Sequence, residues 1–119
     1  MQKINLAEKF ALIHEHWSPK IVAELNGQHI KLARLKGEFV WHRHPAEDEL
    51  FLVLHGELTI RFRNGEATLR EGEMIVVPAG VEHLPVAVNE VEVLLLEPTS
   101  TRNTGDVLND RTVLRLDWI

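Results

Sequence analysis

Hydrophobic and polar residues alternate along most of this chain, and turn residues interrupt the alternation at short intervals. A period of two is typical of a β-strand with one buried face. Two pairs of alternating runs flank an Asn-Gly dipeptide: residues 20–25 and 28–36 around Asn26-Gly27, and residues 58–63 and 67–69 around Asn64-Gly65. Asn-Gly between two such runs is the strongest short signal for a β-hairpin. The pattern therefore predicts two hairpins.

Further strand-like runs cover Met74–Val77, residues 86–96 and, after a polar loop at 99–111, residues 112–119. The total is about nine or ten short strands, which is the pattern of an antiparallel sandwich or barrel. Near the start of the chain, Asn5 and Glu8 have the spacing of a helix cap and predict one or two helical turns. We therefore predict an all-β fold, an antiparallel double-sheet jelly roll with a short N-terminal helical segment.

Length and composition fit one globular domain over residues 1–119, with 45% hydrophobic and 26% charged residues. The net charge is -5 and no Lys/Arg cluster is present, which argues against a nucleic-acid partner. No run approaches the roughly 18 apolar residues of a membrane span, and the first residues lack the apolar stretch of a signal peptide. We expect a cytoplasmic protein with no membrane partner. The absence of cysteine excludes disulfides, thiolate ligands and a cysteine nucleophile.

Two histidines, His42 and His44, lie two residues apart in the strand-like run 40–44. Alternate side chains of a strand face the same way, so the two rings share one face with about 6.6 Å of backbone between them. Pro45 cannot donate a ladder hydrogen bond, so this strand ends there and the chain turns. Glu49 then begins the next strand, where a hairpin partner can offer a carboxylate to the same ion.

A third histidine, His83, follows the Pro-Ala-Gly turn at residues 78–80 that ends the short, buried strand predicted at Met74–Val77. Imidazoles and a carboxylate suit a divalent transition metal such as Fe, Mn, Ni, Zn, Co or Cu. Four such ligands leave roughly one or two positions open on a five- or six-coordinate ion. Glu49 is preferred to Glu47 as the carboxylate because it begins the apolar run. We predict one metal ion as cofactor, held by His42, His44, Glu49 and His83.

The spacing of these residues resembles the two motifs of the cupin superfamily, in its small single-domain, mannose-6-phosphate-isomerase-like type. Motif one spans residues 37–56 and contains Gly37, His42, His44, Glu49 and Gly56; motif two spans residues 72–87 and contains Gly72, Pro78, Gly80 and His83. There are two departures: Gly37 and His42 are one residue closer than usual, and Ala87 stands where the family commonly has Asn. The resemblance implies the jelly-roll fold, the metal site at these ligands and a homodimer. It does not imply one reaction.

The remaining histidines do not fit this site. His55 is in phase with Glu49 but about 20 Å farther along the strand, so we expect a hydrogen-bonded structural residue. His14 and His16 repeat the His-x-His spacing in a segment predicted to be helical, where residues two apart diverge by about 200°. They are not expected to form a second metal site.

The phase of the predicted histidine strand divides its neighbours into an inward pair, Glu38 and Val40, and an outward set, Phe39, Trp41 and Arg43. Large aromatic side chains on an outer face need a cover. Either a second copy of the chain or residues 1–19 of the same chain could supply it. We favour a homodimer.

Three functional hypotheses follow. The first is a metal-dependent enzyme of the oxygenase type that acts on a small organic substrate. The alternatives are a non-redox isomerase, epimerase or lyase, and a non-catalytic protein that binds or senses a small ligand. The inward positions near the predicted metal are mostly apolar and the chain has no tyrosine, so no second acid–base group is evident. This favours metal-centred redox chemistry or simple binding, and no catalytic residue is assigned.

Overall fold

Seven strands and one short helix form the computed structural model, which describes residues 1–119. The elements are α1 (Leu6–Phe10), β1 (Lys20–Leu25), β2 (Gln28–Glu38), β3 (Glu49–His55), β4 (Leu58–Phe62), β5 (Gly65–Leu69), β6 (Met74–Val77) and β7 (His83–Pro98). All pairings between these strands are antiparallel. The predicted jelly roll with a short N-terminal helix is confirmed. No helix has the length and apolar character needed to cross a membrane.

Local signals in the sequence predicted the helix and both hairpins. The Asn5 side chain caps α1, because its Oδ1 accepts a hydrogen bond from the Glu8 N–H at 3.0 Å. Asn26 and Gly27 have φ angles of 49° and 76°, as a tight hairpin turn requires, and they join β1 to β2. The second turn lies one residue earlier than the Asn-Gly pair predicts: Arg63 and Asn64 join β4 to β5, and Gly65 already pairs with Phe62.

The long strand β7 organises the sheet. It pairs with β2 along most of its length, with β4 over residues 83–86 and with β3 over residues 92–96. The strand order is β1-β2-β7-β3-β6, and β5 joins through β4. The main core lies against this strand and includes the fully buried residues Val53, Ile60, Val91 and Val93.

The predicted number of nine or ten strands is wrong because two of the predicted runs do not form strands. Residues 40–44 contain a single isolated bridge, between His42 and His83. Residues 112–119 contribute only one bridge to β1. In addition, the run predicted at residues 86–96 is part of one 16-residue strand.

The predicted phase is correct at His42, Arg43 and His44 but wrong at Glu38 and Phe39. The register of β2 against β7 shifts between Leu35 and Gly37, where Gly37 has a φ of 83°, and β2 ends at Glu38. Such an irregularity breaks the strict alternation of faces. As a result Phe39 is buried and Glu38 is exposed, the reverse of the prediction.

The cover for Phe39 comes from the same chain. The ring of Trp17 stacks on it with centroids 4.5 Å apart, and Trp17 Nε1 donates a hydrogen bond to the Lys36 carbonyl at 2.8 Å. Trp41 is half-buried beneath the Arg63 guanidinium, which lies 3.8 Å from its ring centroid. Phe39 therefore gives no reason for a second copy of the chain, and the homodimer stays a prediction.

Strand β6 forms where the sequence predicts it, but it lies at the edge of the sheet and is not buried as a whole. Met74 and Val76 are exposed, whereas Val77 is buried. The prediction that this strand lies in the core is therefore wrong for Met74 and Val76.

Candidate metal centre

Four buried side chains, His42, His44, Glu49 and His83, come together at one end of β3 and β7. Their potential ligand atoms all lie within 4.8 Å of one another. Glu49 Oε1 is 3.2 Å from His44 Nε2 and 3.3 Å from His83 Nε2. The structure thus brings together the four residues that the spacing selected, and this cluster could hold a metal ion.

Backbone hydrogen bonds hold the three histidines in place. The N–H of His42 donates to the His83 carbonyl at 3.1 Å, and the N–H of His83 donates to the His42 carbonyl at 2.8 Å. The Gly80 N–H donates to the His44 carbonyl at 2.8 Å, which ties the turn after β6 to this segment. A single bridge and one turn therefore replace the regular strand predicted for residues 40–44.

The tautomers of two histidines suit metal binding. His42 Nδ1 lies 2.8 Å from the Val40 carbonyl, and His83 Nδ1 lies 2.9 Å from the Val81 carbonyl. A carbonyl oxygen can only accept a hydrogen bond, so Nδ1 carries a proton in each ring, and in the neutral ring Nε2 keeps its lone pair. An imidazole held in this way by its other nitrogen is typical of a metal ligand.

The fit to a metal can be tested on the polar atoms that the fold leaves without partners. His44 Nδ1 and Nε2, Glu49 Oε1 and His83 Nε2 are buried and have no hydrogen-bond partner. Buried polar atoms in this state are rare and cost about 1–3 kcal/mol each. A cation among them would satisfy the Nε2 and Oε1 atoms together. Three imidazoles and one carboxylate fit a divalent transition metal.

Burial and neighbouring groups favour the protonation states that bind a metal. Burial, together with the nearby His83, lowers the pKa of His42 to about 4. Burial acts to raise the pKa of Glu49, but contacts with His44 and His83 hold it well below its usual range. At neutral pH the site therefore contains a carboxylate and a neutral His42, the forms that metals require.

The metal-free protein is expected to lose stability as the pH falls from about 6.5 to about 4. In this window the unfolded chain protonates His42, whereas the folded chain keeps it neutral, so the unfolded state binds more protons. The contribution of His42 is at most about 3 kcal/mol; it is fully present above pH 6.5 and is lost at about pH 4. Urea unfolding with a chelator, at several pH values across this window, measures it. A His42→Gln protein with an equally steep pH dependence would contradict the assignment to His42.

A narrow cavity of about 30 Å³ lies beside the four residues. His42 and Glu49 form part of its wall, so the cluster faces this space. Much of the remaining wall is apolar or aromatic and includes Trp17, Leu35, Phe39, Phe51, Pro85 and Leu95. A molecule in the cavity would contact both the polar cluster and apolar surface.

A further carboxyl group, Glu97, also lines the cavity, and the sequence analysis missed it. It is 2% exposed, and its Oε1 accepts a hydrogen bond from the Nζ of the equally buried Lys31 at 2.8 Å. Burial, followed by the charge of Glu49, raises the pKa of Glu97 well above its usual range. The inference that no second acid–base group lies near the site is therefore wrong.

The other candidate residues lie outside the cluster. His16 Nε2 contacts Glu90 at 2.6 Å, and His14 is exposed. His55 is not in the cluster, as expected from its distance along β3, but its side chain is 73% exposed, so it is a surface residue and not the hydrogen-bonded structural residue predicted. Glu47 accepts a hydrogen bond from Ser100 at the surface and does not replace Glu49.

Comparison with known proteins adds to this geometry. A family model described as "Cupin domain" matches residues 29–97, which is more than half of the chain. The uncharacterised protein YdbB of Bacillus subtilis (strain 168) is 43% identical over 63 residues, which are 52% of this chain and 56% of that protein. The crystal structure of a cupin-2 domain containing protein from Shewanella frigidimarina is 48% identical with a TM-score of 0.79. That match covers 80% of this chain and 93% of the other.

More distant structures share the fold alone. Hydroquinone 1,2-dioxygenase from Sphingomonas sp. TTNP3, solved with 4-hydroxybenzoate bound, is 19% identical with a TM-score of 0.65, over 76% of this chain and 70% of that one. The chain spans about half the length of the curated relatives it matches, between 48% and 56%. The family-model match and the jelly-roll architecture agree, and this chain belongs to the cupin family.

Proposed function

We propose that this protein is a metal-dependent enzyme of the oxygenase type that acts on a small organic substrate. One divalent transition metal would be held by His42, His44, Glu49 and His83. The observation that carries the proposal is the set of buried, unpartnered polar atoms on His44, Glu49 and His83, next to a largely apolar cavity. An ion would satisfy the Nε2 and Oε1 atoms among them, and the cavity would give a small molecule access to the site.

In the proposed reaction, different side chains serve different parts of the substrate. A redox-active metal such as Fe(II), when bound, supplies the electron transfer that oxygenase chemistry needs. Trp17, Phe39 and Phe51 keep water from the cavity and contact the apolar part of a substrate. Glu97, whose Oε2 has no hydrogen-bond partner, would bond to its polar part. This combination of apolar walls and few polar groups suits a small molecule with one or two polar substituents.

The distant structural relatives support the proposal by analogy only. The fold is shared with a hydroquinone 1,2-dioxygenase, so an oxygenase can be built on this architecture. Cupin folds carry several kinds of chemistry, and the argument for this chain therefore depends on its own site.

Glu97 favours a second candidate, a non-redox isomerase or lyase. Burial and the charge of Glu49 raise its pKa, so beside the proposed metal site it binds a proton more readily than an ordinary carboxyl group does. A carboxylic acid in this position could give a proton to a substrate or accept one from it. Such a reaction needs a Lewis acid and a proton carrier but no oxygen.

The two candidates can be separated by metal analysis followed by oxygen uptake. We expect protein purified without a metal-affinity tag to contain a transition metal or to take one up on reconstitution. Less than about a tenth of an equivalent under both conditions would reject the metal centre. We expect the Fe(II) protein to consume oxygen with one of three substrate classes: phenols, diketones or small thiols. Substrate conversion without oxygen consumption would instead favour the isomerase or lyase.

A further inference from the structure

A buried ion pair, Lys31 with Glu97, lies beside the proposed metal ligands and is not one of them. The two side chains are 1% and 2% exposed and come from the neighbouring strands β2 and β7. Desolvation of such a pair costs several kcal/mol per ion, and apolar residues of similar volume often give equal or greater stability. Folding alone therefore does not account for this pair.

Glu97 connects the ion pair to the candidate centre. Glu49 and Glu97 lie next to Leu50 and Leu96, which pair across β3 and β7, and both glutamates line the same cavity. Lys31 Nζ donates a hydrogen bond to Oε1 of Glu97 at 2.8 Å. The other carboxyl oxygen, Oε2, is buried and has no hydrogen-bond partner. Lys31 thus fixes the direction in which Glu97 presents its carboxyl group to Glu49.

The Glu49 carboxylate also lies close to two of the histidines. Its Oε1 lies 3.2 Å from His44 Nε2 and 3.3 Å from His83 Nε2. The side chain is therefore confined between the histidines and Glu97. Removing Glu97 would leave space into which the Glu49 carboxylate could rotate, and its oxygen would then be displaced from the histidine nitrogens.

We propose that Glu97, held by Lys31, is a positioning residue that fixes the Glu49 carboxylate in its orientation toward the three histidines. This role depends on the metal centre of the proposed function. Groups that orient a metal ligand typically change metal affinity by about 10–100-fold when they are removed.

The experiment is a Co(II) titration of the full chain, followed by visible absorption, with a Lys31→Met/Glu97→Leu double variant. The double variant removes both charges, so no unpaired ion is left in the core and folding is expected. We expect its Co(II) affinity to be about 10–100-fold weaker than that of the wild type, with altered Co(II) absorption bands. The single variant Glu97→Gln keeps the side-chain length and can bond to both neighbours, so it is expected to keep the wild-type affinity and bands.

Val93→Ala is the control for a weakened core. Val93 is fully buried on the same strand, so its truncation should lower stability and leave the Co(II) bands unchanged. Wild-type affinity and bands in the folded double variant would overturn the positioning role and leave the metal centre standing. Failure of the wild type to bind Co(II) would overturn both. If the double variant does not fold, Glu97→Asp, which withdraws the carboxyl group by one methylene, replaces it, and wild-type affinity again overturns the role.

Discussion

A His42→Ala protein is expected to bind divalent metal more than about 100-fold more weakly than the wild type. Losing a residue that only orients a ligand weakens metal affinity by about 10–100-fold, and losing the ligand itself weakens it more. His42 is 3% exposed, and its Nδ1 is held by the Val40 carbonyl at 2.8 Å, so the Nε2 lone pair is already directed before an ion arrives. The alanine protein loses both the donor and this preorganisation. Metal titration of purified protein, with elemental analysis of the bound fraction, measures the loss.

The matched control is His14→Ala, which removes a histidine that is exposed and lies outside the cluster. Its metal affinity should equal that of the wild type. Circular dichroism and urea unfolding of both variants separate loss of the ligand from loss of the fold. If His42→Ala kept wild-type stoichiometry and affinity, His42 would not be a ligand and the proposed centre would have to be abandoned.

The sequence located the four clustered residues even though one structural premise was wrong. His42 and His44 were placed together by assuming a regular strand, whereas the structure has an isolated bridge at His42. The grouping survives because an extended segment directs alternate side chains the same way without a complete ladder. His83 joins them through reciprocal backbone hydrogen bonds with His42, which no local pattern could specify.

The errors arise where tertiary contacts override the period of two. The shift between Leu35 and Gly37 reverses the expected faces of Glu38 and Phe39, and a bulge of this kind has no strong sequence signal beyond the glycine. Stacking of Trp17 on Phe39 depends on a segment more than twenty positions earlier in the chain. Alternation predicts the direction of a side chain only while the ladder is regular.

Glu97 was not predicted from the sequence for a different reason. It continues the inward alternation of Val91, Val93 and Leu95 along β7, so its direction could have been inferred from the sequence. A charged residue before a proline is also an ordinary end of a strand, and the pattern alone favours that interpretation. What makes burial of Glu97 possible is Lys31, which is 66 positions away in the chain. Such a long-range pair requires the strand register.

The second large effect is expected from Gly105→Ala. A Cβ at this position would overlap the Arg43 carbonyl oxygen, lie 2.8 Å from the Arg43 carbonyl carbon and approach the His42 ring to 3.1 Å. The Arg43 carbonyl also accepts a hydrogen bond from the Asp106 N–H at 3.0 Å, so the loop is fixed against this segment. Arg43 lies between two proposed ligands, His42 and His44. With the loop fixed in this way, a methyl group on residue 105 would displace the backbone that carries both histidines.

We expect Gly105→Ala to lower the free energy of unfolding by about 2–5 kcal/mol, as the sum of a left-handed backbone penalty and overpacking. Gly72→Ala is the control: its φ of 80° carries the same kind of backbone strain as the 57° of Gly105, but a Cβ there meets no atom within 4 Å. That variant should lose about 1–2 kcal/mol and keep its metal affinity. Urea unfolding with a chelator gives the stability difference, and a Co(II) titration tests whether the histidines have moved. Equal stability losses in the two variants, with metal affinity unchanged in both, would mean that the loop at Gly105 moves aside freely and does not fix the position of the ligand segment.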